Sequence, residues 1–467
     1  MLQSGSMSTP IPVTKNQHYQ VEITDLGIKG EGIGKRGQFT LYIPNALPGD
    51  TVEARILKLK PRYGYAKCVE VITPSKDRIT PPCRLATVCG GCQIQHYDYQ
   101  AQLDFKQKKV TQDLKRIGQF TDIQVRPILR MENPFRYRNK AQFAVGVSKV
   151  RADIGLYKIN THDIVNIQNC LIQHTLVDEI LLLVREAIHQ SRISIYDELD
   201  HTGLLRHVML RTSFSQNKIM VTLVLNAADC DPKQYEIFSR ILSEHPAMVS
   251  LYVNHNTERG DTILGPTVTH VWGDSSIEES IGHIRYHISP LSFFQVNPEQ
   301  TKVLYDCIVD SIQGTKPKVA WDLYCGTGSI GLYLAKHCDS VIGVESHPDA
   351  VKDAIHNAEL NQISNIQFYE GLAEKLLTTP SHPILSTKPD VIVIDPPRKG
   401  CEPEVLQTLI KTQAPKLIYV SCNPSTLARD LRILVDGGYQ VEYVQPVDMF
   451  PHTIHVESVA VLRRSHV

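Results

Sequence analysis

No surplus of either charge marks this sequence: 49 lysines and arginines stand against 49 aspartates and glutamates. A nucleic-acid role therefore cannot be read from net charge and has to rest on local basic patches. No stretch is apolar for long enough to cross a bilayer, and the N-terminal residues lack the apolar core of a secretory signal, so a cytoplasmic protein without membrane contact is expected. An even cysteine framework is also missing. The chain has 11 cysteines and no export signal, which favours reduced thiols, metal ligands or catalysis over disulfides. MLQSGS before Met7 reads as a cloning remnant, with residues 1–15 a tail. At 467 residues the chain is too long for one core, and its length suggests about three domains.

What is present centres on PKLIYVSCNPS, Pro415–Ser425. Lys416–Ser421 is a short apolar run of the kind that forms a buried parallel strand. Cys422 follows at its carboxyl end, Asn423-Pro424 turns the chain, and Ser425 or Thr426 is placed to cap a helix over Thr426–Val435. A thiol between a strand end and a helix N-terminus lies where open α/β sheets bind ligands, and the helix dipole is expected to favour its thiolate. A buried, inert cysteine is the alternative.

From residue 16 to 74 short alternating strands separated by glycines predict a small closed β-barrel. Arg55, Lys58, Lys60, Arg62 and Lys67 surround Tyr63 and Tyr65, a pattern that suits an RNA-tracking surface or simply a solvated strand face. This block resembles the TRAM domain, an OB-like RNA-binding module. PPCRLATVCGGCQIQ then sets Cys83, Cys89 and Cys92 in a Pro/Gly-rich loop, a soft-ligand metal set that needs a fourth member, for which Cys170 is the candidate. Spacing alone does not choose between zinc and an iron–sulfur cluster. His96–Gly118 reads as a basic amphipathic helix, and residues 75–290 as a mixed α+β domain. FRYRNKAQF contributes Arg136, Arg138 and Lys140, and LLRHVMLRT contributes Arg206, His207 and Arg211. Both are candidate phosphate or base contacts, or equally exposed strand faces.

Residues 291–467 alternate strand and helix, which predicts a doubly wound parallel sheet closed by the antiparallel pair Val441–Val447 and Val456–Leu462. DLYCGTGSIG supplies glycines 326, 328 and 331 for a tight turn, and Glu345 ends the next strand, where an acid can accept from ribose hydroxyls. The loop alone is compatible with NAD. Its form, D-x-x-C-G-x-G before a strand ending in Glu, more closely resembles class I methyltransferases that use S-adenosylmethionine, with Tyr324 at the loop mouth. IVIDPPRKG holds Asp395 between a strand and two prolines. Arg398 stands where amino-group methyltransferases carry a base-stacking aromatic, which argues against amine methylation.

LSFFQVN, DLYCGTGSIG, DPPRKG, SCNPS and HVESV, in that order, strongly resemble the bacterial RNA (uracil-5-)-methyltransferases, and with the barrel and four cysteines the resemblance covers nearly the whole chain. It implies an OB-like barrel, a central domain carrying a [4Fe-4S] cluster on Cys83, Cys89, Cys92 and Cys170, and a Rossmann-like catalytic domain on which the 96–118 helix docks. It implies methylation of uridine C5 in 23S rRNA, at one or two sites, by a monomer. Cys422 would add to C6 of a flipped-out uracil, since C5 is a poor nucleophile until something adds there, and Glu457 would remove the C5 proton. Gln295 and Asp395 match the family's cofactor-binding positions, with Asp395 also placed to orient the uracil. Phe293 and Phe294 could stack on the base or pack in the core. Ser329 and Gly371 stand where relatives carry asparagine, so no role is carried onto them; Cys325 and Cys401 are rival thiols. A tRNA uridine methyltransferase and a non-catalytic RNA-binding factor are the competing readings.

Overall fold

The computed structural model describes residues 11–147, 152–229, 231–314, 316–380 and 382–465, so the first ten residues of the expected tail lie outside the described residues. The chain divides into two compact units, Met1–Asp104 with His452–Ile454, and Phe105–Pro451 with His455–Val467.

In the first unit the alternating sequence closes on itself. Strands β1 (His18–Leu26), β2 (Gly32–Arg36), β3 (Phe39–Ile43), β4 (Thr51–Leu59) and β5 (Tyr63–Thr73) form a closed barrel in the order β1-β2-β3-β5-β4. Closure leaves no unpaired edge. Val52, Ala54 and Ile56 of β4 point inward and are fully buried with Val21, Leu41 and Ile43. Gly34 is required on packing grounds, because a Cβ there would lie 2.3 Å from Val21 and 2.7 Å from the Glu22 carbonyl. Beyond β5 the chain is pinned back by Arg78, whose Nη2 pairs with the buried Asp50 at 2.5 Å. The cysteine loop follows.

The second unit holds two seven-stranded sheets. One contains β6 (Lys140–Gly146), β7 (Asp153–Tyr157), β8 (Ile164–Asn166), β9 (Leu205–Ser213), β10 (Lys218–Leu225), β11 (Met248–His255) and β12 (Thr267–Gly273), ordered β12-β11-β10-β9-β6-β7-β8. Helices Thr175–Ser191 and Lys233–Ser243 pack on it. The hairpin β13 (Ile277–Ile281) and β14 (Ile284–Ile288) then lies against helix Pro348–Leu360, where Asn357 Oδ1 accepts from His287 N at 2.7 Å and Asn361 Oδ1 from Arg285 N at 2.9 Å.

The other sheet comprises β15 (Val319–Leu323), β16 (Ser340–Glu345), β17 (Ile366–Glu370), β18 (Val391–Ile394), β19 (Lys416–Ser421), β20 (Tyr439–Val447) and β21 (Glu457–Arg464), ordered β17-β16-β15-β18-β19-β21-β20. The first five are parallel; β21 runs antiparallel to β19 and β20 to β21. Both faces are covered, so the strands are unbroken apolar runs. Trp321, Ile342, Ile392 and Tyr419 face one core, while Ala320, Val341, Val393 and Ile418 face the other. Strand order reverses between β16-β15 and β18, which opens a crevice at the carboxyl ends of β15 and β18, the place where such sheets bind ligands.

The basic helix runs over Tyr99–Arg116. Within the second unit its Lys106 is fully buried and pairs with the equally buried Asp448 at 2.5 Å, also donating to the Phe450 carbonyl at 2.9 Å. Lys106→Met removes the cation from beside a buried carboxylate and is expected to destabilise the protein by about 3–5 kcal/mol. Urea unfolding measures this; a loss of under about 1 kcal/mol would show that the pair is dispensable.

Candidate active site

Three loops meet at the carboxyl ends of β15, β18 and β19. The first is the glycine loop. Tyr324 takes φ +64°, unusual for a residue with a side chain, and Gly326 and Gly328 take +54° and +77°. A Cβ on Gly326 would meet nothing within 4 Å, so the turn leaves open space above its backbone. Gly326 N donates to Glu345 Oε2 at 3.0 Å, while Ser346 N and His347 N donate to Oε1 at 2.7 and 2.9 Å. The Glu345 carboxylate is thus locked at the lip of that space. Beneath it lies Asp322, fully buried, whose Oδ2 accepts from Gly331 N at 2.7 Å while Oδ1 has no partner. Burial pushes its carboxyl up to about 8. An open cradle, a fixed carboxylate and an orphaned buried oxygen fit a nucleoside with a charged amino-acid tail, the shape of S-adenosylmethionine. Tyr324 packs partly buried against the core beside Cys401, and Gln295 is buried on the Ser292–Asn297 loop, which Asn139 ties down through the Gln295 carbonyl at 3.1 Å.

The second and third loops are bound together. The Arg398 carbonyl accepts from Asn423 Nδ2 at 3.1 Å and Thr426 Oγ1 at 3.3 Å. Asp430, fully buried, accepts from Cys401 N at 2.9 Å and the Tyr419 hydroxyl at 2.6 Å, and its other oxygen pairs with Arg429 at 2.7 Å. The helix after Cys422 runs Pro424–Asp436, and its cap is Asn423, two or three residues before the expected Ser425 or Thr426. The Asn423 side chain accepts from Ser425 N, and Pro424 at the first helical position has no N–H to satisfy.

Glu457 begins β21. Because β21 is antiparallel to β19 with Ser421 opposite Ser458, its first residue lies beside the strand end that carries Cys422. Glu457 is buried and its Oε2 has no partner. Burial, then the nearby Asp395, hold its carboxyl well above the usual range, against the pull of Arg398. Burial pushes Asp395 up to about 7. Two carboxyls that act on each other, Glu457 buried and Asp395 half-buried, share protons rather than ionise independently.

The thiol departs from expectation. Burial raises Cys422 to about 11, with Glu457 and Asp395 adding to the rise and Arg398, which hydrogen-bonds the sulfur, opposing it. A helix dipole alone does not overcome two neighbouring carboxyls and desolvation. The resting group is a thiol that needs a base. The rival Cys325 and Cys401 are both buried, and burial holds the first well above the ordinary thiol value and pushes the second up to about 12, whereas Cys422 is partly exposed. Arg398 was visible in the sequence only as a missing aromatic; its tie to the sulfur was not. Of the two phenylalanines, Phe294 is core, packed on Tyr286, and Phe293 is exposed.

On the first unit, Tyr42, Tyr63 and Tyr65 form an aromatic triad with ring centroids 5.6–5.7 Å apart. Cys83, Cys89 and Cys92 share one loop, where Gly91 N reaches Cys89 Sγ at 3.5 Å and Gln95 Nε2 reaches Cys92 Sγ at 3.7 Å, contacts that suit thiolate ligands. Among the described residues no group of three His, Cys, Asp or Glu is gathered closely enough to hold a metal ion. Cys170 lies in the second unit, its N–H donating to Asp178 at 2.9 Å.

The sheet order, the glycine cradle and the carboxylate fixed at its lip are those of a class I methyltransferase that uses S-adenosylmethionine. A family model described as tRNA (uracil-5-)-methyltransferase matches residues 274–465, and one for the TRAM domain matches residues 12–69. An uncharacterized RNA methyltransferase of Clostridium tetani is 42% identical over 98% of both chains, and one of Halalkalibacterium halodurans is 44% identical over 97% of this chain and 98% of its own. The crystal structure of Pyrococcus abyssi tRNA (uracil-54, C5)-methyltransferase in complex with S-adenosyl-L-homocysteine superposes with a TM-score of 0.76 at 29% identity, covering 95% of this chain and 99% of that one. The chain belongs to the RNA (uracil-5-)-methyltransferase family.

The thiol environment is directly measurable. Iodoacetamide labelling of the Cys422 peptide, followed by mass spectrometry across alkaline pH, is expected to rise along a titration centred at about 11. Arg398→Gln is expected to move it higher still. A midpoint at or below the ordinary thiol value would contradict this electrostatic account.

Proposed function

We propose that this enzyme methylates C5 of uridine in 23S rRNA through a covalent adduct between Cys422 and C6, with Glu457 as the base that completes the reaction. The observation that carries this reading is the meeting of a partly exposed thiol, a buried carboxyl with an unpartnered oxygen and the methyltransferase crevice. Cys422, partly exposed, loses its proton to water as its sulfur adds to C6, which makes C5 nucleophilic and leaves Glu457 to enter the later step as the carboxylate. S-adenosylmethionine supplies the electrophilic methyl group that C5 takes. Glu457 then removes the C5 proton, and the thiolate leaves as the ring double bond re-forms. Asp395 orients the uracil or the cofactor, and its charge state sets that of Glu457. Gln295, Tyr324 and Glu345 hold the cofactor. Exposed Phe293 offers a stacking face for a flipped base, and the Tyr42–Tyr63–Tyr65 triad of the barrel a second one for single-stranded RNA.

The choice of 23S rRNA rests on the barrel and the cysteine loop, since a tRNA enzyme would share every catalytic motif. tRNA is a second reading with an observation of its own: the Pyrococcus abyssi tRNA enzyme spans nearly the whole of this chain. A barrel therefore does not by itself separate the two substrates.

Purified enzyme, labelled S-adenosylmethionine and protein-free 23S rRNA or unmodified tRNA, followed by nucleoside digestion, decide between them. 5-Methyluridine in 23S rRNA alone is the expected result; in tRNA alone, the substrate reading falls and the chemistry stands. Cys422→Ala is expected to abolish methylation without loss of RNA binding. Glu457→Gln is expected to leave methylated RNA covalently attached, seen as a shifted band on denaturing gels. Full activity in Cys422→Ala would remove it as the nucleophile.

The cysteine loop is proposed to hold a [4Fe-4S] cluster through Cys83, Cys89 and Cys92. Assignment of Cys170 as the fourth ligand rests on the sequence alone. Anaerobically purified protein is expected to contain about four iron and four sulfide with broad charge-transfer absorbance, lost in Cys92→Ser. Stoichiometric zinc in place of iron overturns the cluster.

A further inference from the structure

Of the six basic residues that the sequence marked on β6, on the segment just before it and on β9, three are spoken for. Arg136 pairs with Asp178 at 2.6 Å. Arg206 is buried, gives Nη1 to the carbonyls of Asn256 and Glu258 at 2.7 and 2.8 Å, and lies over the Tyr196 ring. His207 is buried and pushed down to about 4 by desolvation and Arg206, so it is neutral. The other three converge. Lys140 and Arg211 are directly opposed partners on β6 and β9, and directly opposed residues share a sheet face. Arg138, two residues before Lys140, turns its Nε back to the Lys140 carbonyl at 2.9 Å.

None of the three forms an ion pair among the described residues. Arg211 is 1% exposed, yet Nε and Nη1 have no partner and only Nη2 is engaged, on the Ser292 carbonyl at 2.7 Å. Asp353, the acid that acts on it, spends its Oδ2 on the hydroxyls of Ser289 and Ser292 at 2.8 and 2.6 Å. Burial, Arg211 and Arg138 together push Lys140 down to about 7. A buried guanidinium beside two further cations is costly unless something anionic completes the set.

The location says which anion. Arg211 holds Ser292, and Asn139 holds the carbonyl of Gln295 with its side chain and that of Val296 with its N–H at 2.9 Å. The cations thus back the loop that carries exposed Phe293. Toward the nucleophile the positive field continues: after burial, Arg398, Lys106 and Arg138 are what press His455 down to about 4. We propose that Arg138 and Lys140, backed by buried Arg211, form a phosphate-binding site that grips the RNA backbone beside the target uridine. It rests on the RNA-methylation reading above and adds to it where the strand is held. Such contacts fix register without reading sequence.

Binding of a fluorescein-labelled oligouridylate to full-length protein between about 50 and 200 mM salt tests the site. Lys140→Gln and Arg138→Gln are each expected to flatten the slope of log affinity against log salt by about 0.7. Each should raise the KM for RNA while leaving the KM for S-adenosylmethionine unchanged. Lys140→Arg should restore the slope. It should also remove the decline in affinity expected of the wild type as pH rises through 7, where Lys140, pushed down to about 7 by burial, Arg211 and Arg138, loses its charge. Unchanged slopes in both glutamine variants, with wild-type thermal midpoints, overturn the site and leave the proposed reaction intact. So does a loss of S-adenosylhomocysteine affinity without a change in slope, which assigns the cations to the cofactor. If the wild type makes no 5-methyluridine but the slopes fall as expected, the reaction reading fails and the phosphate site stands.

Discussion

The register of β21 on β19 is the constraint on which the active site depends. Ser421 faces Ser458, so the start of one strand meets the end of the other, and Glu457 comes level with Cys422. A parallel strand in this place would have put its first residue at the far end of the sheet. A slip of one residue would turn Glu457 from its present face to the other, because side chains alternate along a strand. The pairing is secured by the run Val459–Leu462, fully buried between both cores, and by β20 on the outer side, where Val447 is the partner of Glu457. The geometry of the candidate site is set by strand pairing rather than by loop conformation.

That geometry forces like charges together. Asp395 follows the last residue of β18, Glu457 begins β21, and Cys422 follows the last residue of β19. In water such a set would ionise readily; desolvation and mutual repulsion hold the carboxyls partly protonated and the sulfur neutral. Arg398 acts on both the sulfur and Glu457, and its side chain is exposed. The balance therefore tips when an incoming ring displaces water, which strengthens every one of these interactions.

Much of the catalytic sheet was legible in sequence because strands covered on both faces are unbroken apolar runs between turn residues. β19 was read to the residue for this reason. The hairpin β13–β14 and the short strands β7, β8 and β12 were not singled out, since brief segments with mixed exposure carry little period. In the site, Cys422, Glu457 and Asp395 stood out by motif. The raised thiol did not, because local reading saw a helix N-terminus and could not see carboxyls delivered by two other strands. Likewise the burial of Arg211 is a fact of tertiary packing; in sequence it was one basic residue on a strand.

Asp430 ties Cys401 N, the Tyr419 hydroxyl and Arg429 into one buried knot, and Asn423 and Thr426 fasten the Arg398 carbonyl. The loop bearing Asp395 and Arg398 and the segment bearing Cys422 are in this way a single mechanical body. Energetic effects within such a body do not add: the consequence of altering the arginine depends on the state of the acid and of the sulfur. The three are better thought of as one composite functional group, with thermodynamic couplings between its parts, than as three side chains with separate contributions.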